Sequence, residues 1–341
     1  MMKTKKRIRY GVILGTVGIL LAGCCLFSMS IGKYEISIPD ILKTLCGNGT
    51  SLQNTVIFSI RLPRILVAVF VGTALSTAGC ILQTVTGNEL AEPGIIGLNA
   101  GSSLAVILLI NGGGKFYYEK ISTQTIFLMP FVSIMGSFIA AVLIYGLAYK
   151  KNKVTPVRLI LTGIGVNAGI NAIITVYQLN MSQGDYNQAL TWISGSLWGT
   201  SWSYLYFLAP ITIFVVYLTL YKSRILDVLD LGDELATGLG VAVEKERRIL
   251  LGYGVILAAV ATSVAGNISF LGLLGPHIAK KIVGPVHARQ IPVAAGISGI
   301  MIVAADFVSK NLFSPLELPV GIAISIIGVP YFIYLMLRTK E

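Results

Sequence analysis

Charge is scarce in this chain of 341 residues. Only 12% of its residues are Asp, Glu, Lys or Arg, and 55% are hydrophobic. Soluble domains carry about 25% charged residues, so a water-facing globule is excluded. Histidine occurs twice, as His277 and His287. No nucleophile-and-base grouping surrounds either, which argues against an enzyme. The four cysteines (Cys24, Cys25, Cys46, Cys80) show no metal-ligand spacing. Three fall in or beside apolar runs, where Cys acts as a small hydrophobe. A Walker A sequence is missing as well. The stretch GGGKF, Gly112 to Phe116, lacks the first glycine at the right distance and a Ser or Thr after the lysine. It reads as a flexible outer turn. The chain is therefore expected to hold no metal and no cofactor of its own.

What is present is apolar sequence, with a mean hydropathy of +0.79. A helix crosses a bilayer with about 20 apolar residues. Runs of that kind fall at 10–30, 62–84, 94–112, 124–149, 157–178, 203–221, 249–267, 268–284, 291–309 and 318–337. The reading is all-α, a polytopic membrane protein with about ten transmembrane helices in a single domain over 1–341. Only GNISF, Gly266 to Phe270, separates the seventh run from the eighth. These two could be one long broken hairpin.

The net charge of +11 does not point to nucleic acid. Its distribution reports topology, because cytoplasmic loops collect Lys and Arg. With a cytoplasmic N-terminus, nineteen of the 26 basic residues fall inside and seven outside. Ten spans put both termini inside. The N-terminus also imitates a secretory signal, and Leu21 to Cys24, LAGC, resembles a lipoprotein cleavage site. The apolar run continues to Ile31, so an uncleaved first span is expected.

Charges within spans usually mark ion or proton pathways. The interiors of runs two to seven hold none, and Asp306, near the outer end of the ninth, is the main exception. A proton-coupled secondary transporter loses its titratable group. A sodium-coupled one is weakened, since backbone carbonyls and hydroxyls could serve it. If the protein moves cargo uphill, its energy comes from another subunit. The contact for that subunit is the longest inside loop, about 222–248. There Leu231, Leu235 and Leu239 recur at i, i+4, i+8, one stripe of a helix. Asp233 can cap or charge its start, and Gly240 can end it. An ordinary solvated loop helix is the competing reading. Small residues at Gly97/Gly101 and Gly165/Gly169 fit close helix contacts.

Arg61 and Arg64, in the stretch RLPR, fall outside, against the general trend. Headgroup anchoring is one use for them.

Four blocks then carry a family resemblance: Arg61 to Val106, Leu231 to Val241, Gly266 to Gly284 and Ala304 to Arg338. In order and spacing they resemble the ten-span permease family of bacterial ABC importers for iron-siderophores, haem and vitamin B12, a type II importer permease fold. One departure is Gly87-Asn88-Glu89-Leu90-Ala91-Glu92-Pro93, where the family commonly has Arg-Asn-Pro-Leu-Ala-Asp-Pro. That variant resembles some siderophore permeases, often one half of a heterodimeric pair.

The resemblance implies a permease subunit in a bacterial cytoplasmic membrane, surrounded by lipid. A second permease, homo- or heterodimeric, completes the pathway. Two cytoplasmic ABC ATPases supply ATP and Mg²⁺ binding, and an extracytoplasmic substrate-binding protein delivers an iron chelate. Haem or a corrinoid is the alternative cargo. The resemblance further implies that Arg61, Arg64 and Lys310 dock the binding protein. Lys310 stands where Arg is usual and lacks the bidentate fork. Leu231, Gly232, Asp233, Glu234, Leu235, Ala236, Leu239 and Gly240 match the coupling helix. Gln83, Asn88 and Asn99 either face the pathway or satisfy exposed backbone. Glu317 orders an outer loop, and Pro319 stands at the start of span ten. Within GPH, Gly275 to His277, Pro276 breaks or kinks span eight, and His277 is a structural hydrogen-bonder rather than a metal ligand.

Overall fold

The computed structural model describes residues 2–94, 97–119, 127–150, 153–312 and 317–338, with the side chains of 2–8, 113–119, 153 and 338 left aside. Leu316, which opens the LELPVG stretch, lies outside the described residues. Each predicted run carries one helix. These are α1 (Met2–Ser30), α4 (Leu62–Thr86), α5 (Leu98–Glu119), α6 (Leu128–Ala148), α7 (Pro156–Leu179), α9 (Trp202–Tyr221), α12 (Val243–Ala265), α13 (Leu271–Val283), α14 (His287–Asn311) and α15 (Val320–Arg338). Eight are long and apolar enough to cross a membrane, and Leu98–Gly112 within α5 is a shorter apolar stretch. The shortest of the ten is α13, in the part of the chain where a broken hairpin is the other reading. Its 13 residues reach about 20 Å, short of the ~30 Å hydrocarbon core.

Between these helices lie elements that apolar run length does not reveal. The connection between α1 and α4 holds α2 (Ile38–Leu45) and α3 (Ser51–Asn54), then a π-helical turn, Thr55–Arg61. Ser37 Oγ accepts the Asp40 N–H at the start of α2, and Thr50 and Gln53 form a capping box for α3. Helix α8 (Gln183–Ile193) lies in a second connection, and α10 (Ser223–Leu229) and α11 (Asp233–Gly238) in the long loop. One departure from all-α is a two-residue antiparallel pair, Tyr149–Lys150 with Lys153–Val154.

Helix α4 is the buried post of the molecule. Pro63 opens it, where a fixed φ suits the first turn. Gly87 ends it at φ 57°, a left-handed cap that glycine adopts freely. Its residues from Val71 to Thr86 are almost all buried, small and apolar ones among them, against α12, α13 and α14. Close approach is set by glycine. A Cβ on Gly72 would come within 2.8 Å of the Ser298 carbonyl, and one on Gly79 would overlap that of Gly272. Gly97 and Gly101 likewise pack α5 against α6 and α7, as the small-residue spacing predicts. Gly165 and Gly169 do not: among the described residues, a Cβ added at either would meet nothing within 4 Å beyond the backbone of its own helix.

Pro276 neither breaks nor ends α13, which continues to Val283. Having no N–H, it leaves the Gly272 carbonyl without its i+4 donor. Gln83 Nε2 of α4 reaches that carbonyl at 3.4 Å. Gln290 Nε2 of α14 donates to the carbonyl of Pro276 itself at 3.2 Å. An unsatisfied buried carbonyl is costly in a bilayer, so these side chains make the proline tolerable.

Gly79→Ala must push α4 and α13 apart. Overpacking of this kind costs about 1–3 kcal/mol. A lowered thermal midpoint in detergent is expected. Gly18→Ala, where no atom approaches the added Cβ, should leave the midpoint unchanged.

Candidate functional site

Three polar constellations lie along the helices. The first collects the residues expected on the outer face. Arg64 is half-buried, and Asp306 is fully buried. The guanidinium grips the carboxylate through Nε, at 3.0 and 3.1 Å, and through Nη2 at 2.8 Å. Its Nη2 also donates to Glu317 at 3.0 Å. Glu317 thereby fastens the segment before α15 to α4, in line with an ordering role. Arg61 donates to the Met29 and Tyr34 carbonyls, closing the C-terminal end of α1, whose last carbonyls lack helical partners. Lys310 donates to Ser28 through its carbonyl at 3.2 Å and its hydroxyl at 3.0 Å. All three expected docking cations are thus engaged within the chain. Three cations meet two carboxylates, which leaves the cluster one positive charge in excess.

The second constellation is a cavity of about 440 Å³ bordered by Glu92, Asn99, Asn167, Asn171, Asn267 and Ser269, with Phe270 and Phe332. Glu92 is 4% exposed. Its Oε2 accepts the Phe270 N–H at 2.7 Å, at the start of α13. Asn99 donates to Asn267 at 2.6 Å and accepts from Thr262 at 3.2 Å. Asn171 donates to Asn167 one turn below it at 2.9 Å. Of the five residues expected on the pathway, Asn99 alone borders this cavity. Gln83 satisfies the Gly272 backbone, Asn88 accepts the Leu90 N–H at 2.9 Å in a local turn, and Pro319 accepts the Ile322 N–H as α15 begins. Sequence reasoning missed Asn167, Asn171 and Asn267 and saw Glu92 only as a replacement. The available signal was an amide within an apolar run, which a bilayer does not tolerate facing lipid.

The third constellation surrounds the long loop. Helix α11 is six residues long, bounded by Gly232 at φ 98° and Gly240 at φ 83°. The expected stripe is shorter than predicted: Leu231 precedes the Gly232 bend, and Leu239 caps the helix. All three leucines remain open, at 57%, 60% and 64% exposure for Leu231, Leu235 and Leu239, while Ala236 is buried beneath. Asp233 starts the helix without a side-chain cap. Its carboxylate instead takes the buried Arg247 Nη2 at 2.6 Å. Arg247 also reaches Glu244 at 3.1 Å and the Val154 carbonyl at 3.3 Å. It pins the loop helix, α12 and the short β pair together. Glu234 extends from the first turn, an acid where the helix dipole favours one.

Two further links run inward from this loop. Asp227 accepts the His287 N–H at 2.8 Å and lies 2.7 Å from Nδ1, while His287 Nε2 lies 2.7 Å from Thr84 Oγ1 near the end of α4. Burial opposes charge on Asp227, but the His287 contacts prevail and hold its carboxyl below the ordinary value. Lys280 of α13 donates to Glu89 at 2.8 Å and lies 3.8 Å from Asp230. The Lys280 hydrogen bond holds the Glu89 carboxyl below its ordinary value. His277 departs from its expected role. Its Nδ1 lies 3.9 Å from Glu89, its ring meets Tyr331 edge-on, and Nε2 has no partner among the described residues.

Comparison with known proteins gives this arrangement a lineage. The chain is 46% identical over 341 residues to the iron(3+)-hydroxamate import permease FhuG of Bacillus subtilis strain 168, covering 99% of both proteins. It is 35% identical to the iron-uptake permease FeuC of the same organism, covering 92% of this chain and 94% of that one. A solved metal-chelate type ABC transporter in an inward-facing conformation superposes with a TM-score of 0.84. That match is at 28% identity and covers 96% of this chain and 99% of the other. The profile of the FecCD transport family matches residues 20–338. The chain belongs to the FecCD transport family.

Proposed function

We propose that this chain is the permease subunit of an ATP-driven importer of ferric hydroxamates. The observation that carries this reading is the end-to-end similarity to a permease named for that cargo. Charge supports it. The residues bordering the central cavity include one carboxylate and four asparagines but no Lys or Arg. Three hydroxamates neutralise ferric iron, whereas three catecholates leave a trianion. A cavity of this kind disfavours the trianion and gives a neutral chelate amide partners. In a deletion strain supplied with radiolabelled ferric hydroxamate, ferric catecholate, ferric citrate, haem and a corrinoid, hydroxamate uptake alone should fail. Undiminished hydroxamate uptake, or selective loss of haem uptake, would refute the assignment.

The remaining parts follow from that role. Both termini lie in the cytoplasm, where nineteen of the 26 basic residues then fall. A second permease covers the open face of α7 that carries Gly165 and Gly169. Two cytoplasmic ATPases receive α11. The open leucines support this, since isolated apolar side chains on a charged loop suit a pocket in a soluble partner. Leu235→Asp should abolish copurification of the ATPase while leaving the permease itself intact by gel filtration. Wild-type yield of the ATPase in that variant would remove α11 from the interface.

An extracytoplasmic binding protein meets the cluster of Arg61, Arg64 and Lys310 through acidic residues. The excess positive charge of that cluster supports this assignment. Arg64 is a poor residue to test, because reversing it would leave Asp306 buried against a like charge. Removing one partner of a buried pair alone costs about 3–5 kcal/mol. Arg61 bonds backbone carbonyls rather than a carboxylate, so its charge is free to act outward. Arg61→Glu should weaken binding-protein docking about tenfold and flatten its salt dependence, with ATPase copurification unchanged. Docking at wild-type affinity would leave the cluster with its structural role alone.

A further inference from the structure

An apolar opening lies apart from the site just described. A cavity of about 440 Å³ lies between α6 and α12, floored by Leu82 of α4. Phe138 and Val142 form one wall, and Leu251, Val255 and Ile256 the other. Phe138, Val142 and Ile256 are among the open hydrophobic side chains. Their neighbours on α6, Phe131, Met135, Ile139, Leu143 and Leu147, are open and apolar too, which marks this as a lipid-facing side. The lining runs from residue 138 to 146 on α6 and from 248 to 256 on α12. Eight residues of helix rise about 12 Å, close to the ~15 Å that one leaflet contributes to the hydrocarbon core.

The two ends differ in chemistry. At the end where α6 finishes and α12 begins, Tyr145 and Arg248 join the lining. Tyr145 Oη is buried and has no hydrogen-bond partner among the described residues. A buried phenol ordinarily finds a partner, so this one is short of an acceptor. Arg248 uses Nε on the Glu244 carbonyl at 3.3 Å, and no described residue is bonded to its two terminal nitrogens. Lys245, one turn earlier on the same helix, and Lys150 of the short β pair are exposed nearby in the sequence. An exposed planar guanidinium at the mouth of an apolar cleft one leaflet deep, with further lysines beyond it, matches an anionic headgroup carrying an acyl chain.

We infer that the α6–α12 cleft is a binding site for an anionic phospholipid of the leaflet on the Arg248 side. One acyl chain occupies the cleft between Val142 and Val255. Arg248 takes the headgroup phosphate in a bidentate contact. The site is independent of the cargo and of the residues proposed to dock protein partners.

The test uses the full chain with its copurifying subunits in bilayer discs of equal dioleoyl phosphatidylglycerol and dioleoyl phosphatidylcholine. Native mass spectrometry after mild delipidation counts the lipids retained. Phosphatidylglycerol should be kept over phosphatidylcholine by roughly tenfold, the scale of one charge-assisted contact. Arg248→Ala should erase that preference, and Val142→Trp, which fills the cleft from an open position, should lower retention of both lipids. Because both side chains are surface-exposed, thermal midpoints near wild type are expected for the two variants. Equal retention of the two lipids by the wild type, or undiminished phosphatidylglycerol retention in either variant, would overturn the proposal.

Discussion

The packing of α4 against α13 at Gly79 and Gly272 is the constraint on which the rest of the structure depends. Backbone meets backbone there, so neither helix can carry a side chain at the crossing. In a bilayer there is little hydrophobic gain from bringing helices together, and close van der Waals contact has to supply it. The same crossing satisfies the carbonyl that Pro276 strands, through Gln83. A helix too short to cross a bilayer is thereby held with the Gly272 carbonyl satisfied. Its free N-terminal end meets the Glu92 carboxylate, and the cavity of asparagines opens beside that junction.

Charge is treated differently at the two ends of the helices. At one end, Arg64, Asp306 and Glu317 form a compact cluster that ties α4, α14 and the segment before α15 together. Only with Arg61 and Lys310 counted does that end hold one positive charge in excess. On the other side, charges are spread along the loop and connect elements in pairs. Asp233 meets Arg247, Asp227 meets His287, and Asp230 approaches Lys280. Each link joins the loop that carries α11 to a different membrane helix. Through His287 and Thr84 the chain of contacts reaches the end of α4 itself.

Much of this was legible beforehand, for identifiable reasons. Helix positions follow from apolar run length, and all ten runs carry a helix. Gly240, at positive φ just after α11, stands where the loop pattern ends the helix. The four blocks from Arg61 to Arg338 identified the family. Less legible were features that depend on what stands opposite. Arg61 and Arg64 in isolation offered lipid phosphate or a partner's carboxylate as counter-groups. The fold supplied Asp306, 242 positions away in sequence, and two carbonyls at the end of α1. Gln83 left two readings open, and the missing donor of Pro276 decided for backbone satisfaction.

The sequence by itself determined a membrane-spanning helical chain and its family. These properties are additive along the chain: bilayer partitioning sums residue by residue, and motifs are local. The tertiary structure alone decided which polar groups are already paired, that α13 stops short of a full crossing, and that four asparagines and Glu92 share one cavity. It also set Tyr145 and Arg248 at one end of an apolar cleft. Such outcomes depend on contacts between helices far apart in sequence, where low dielectric and the lack of water make every partner count.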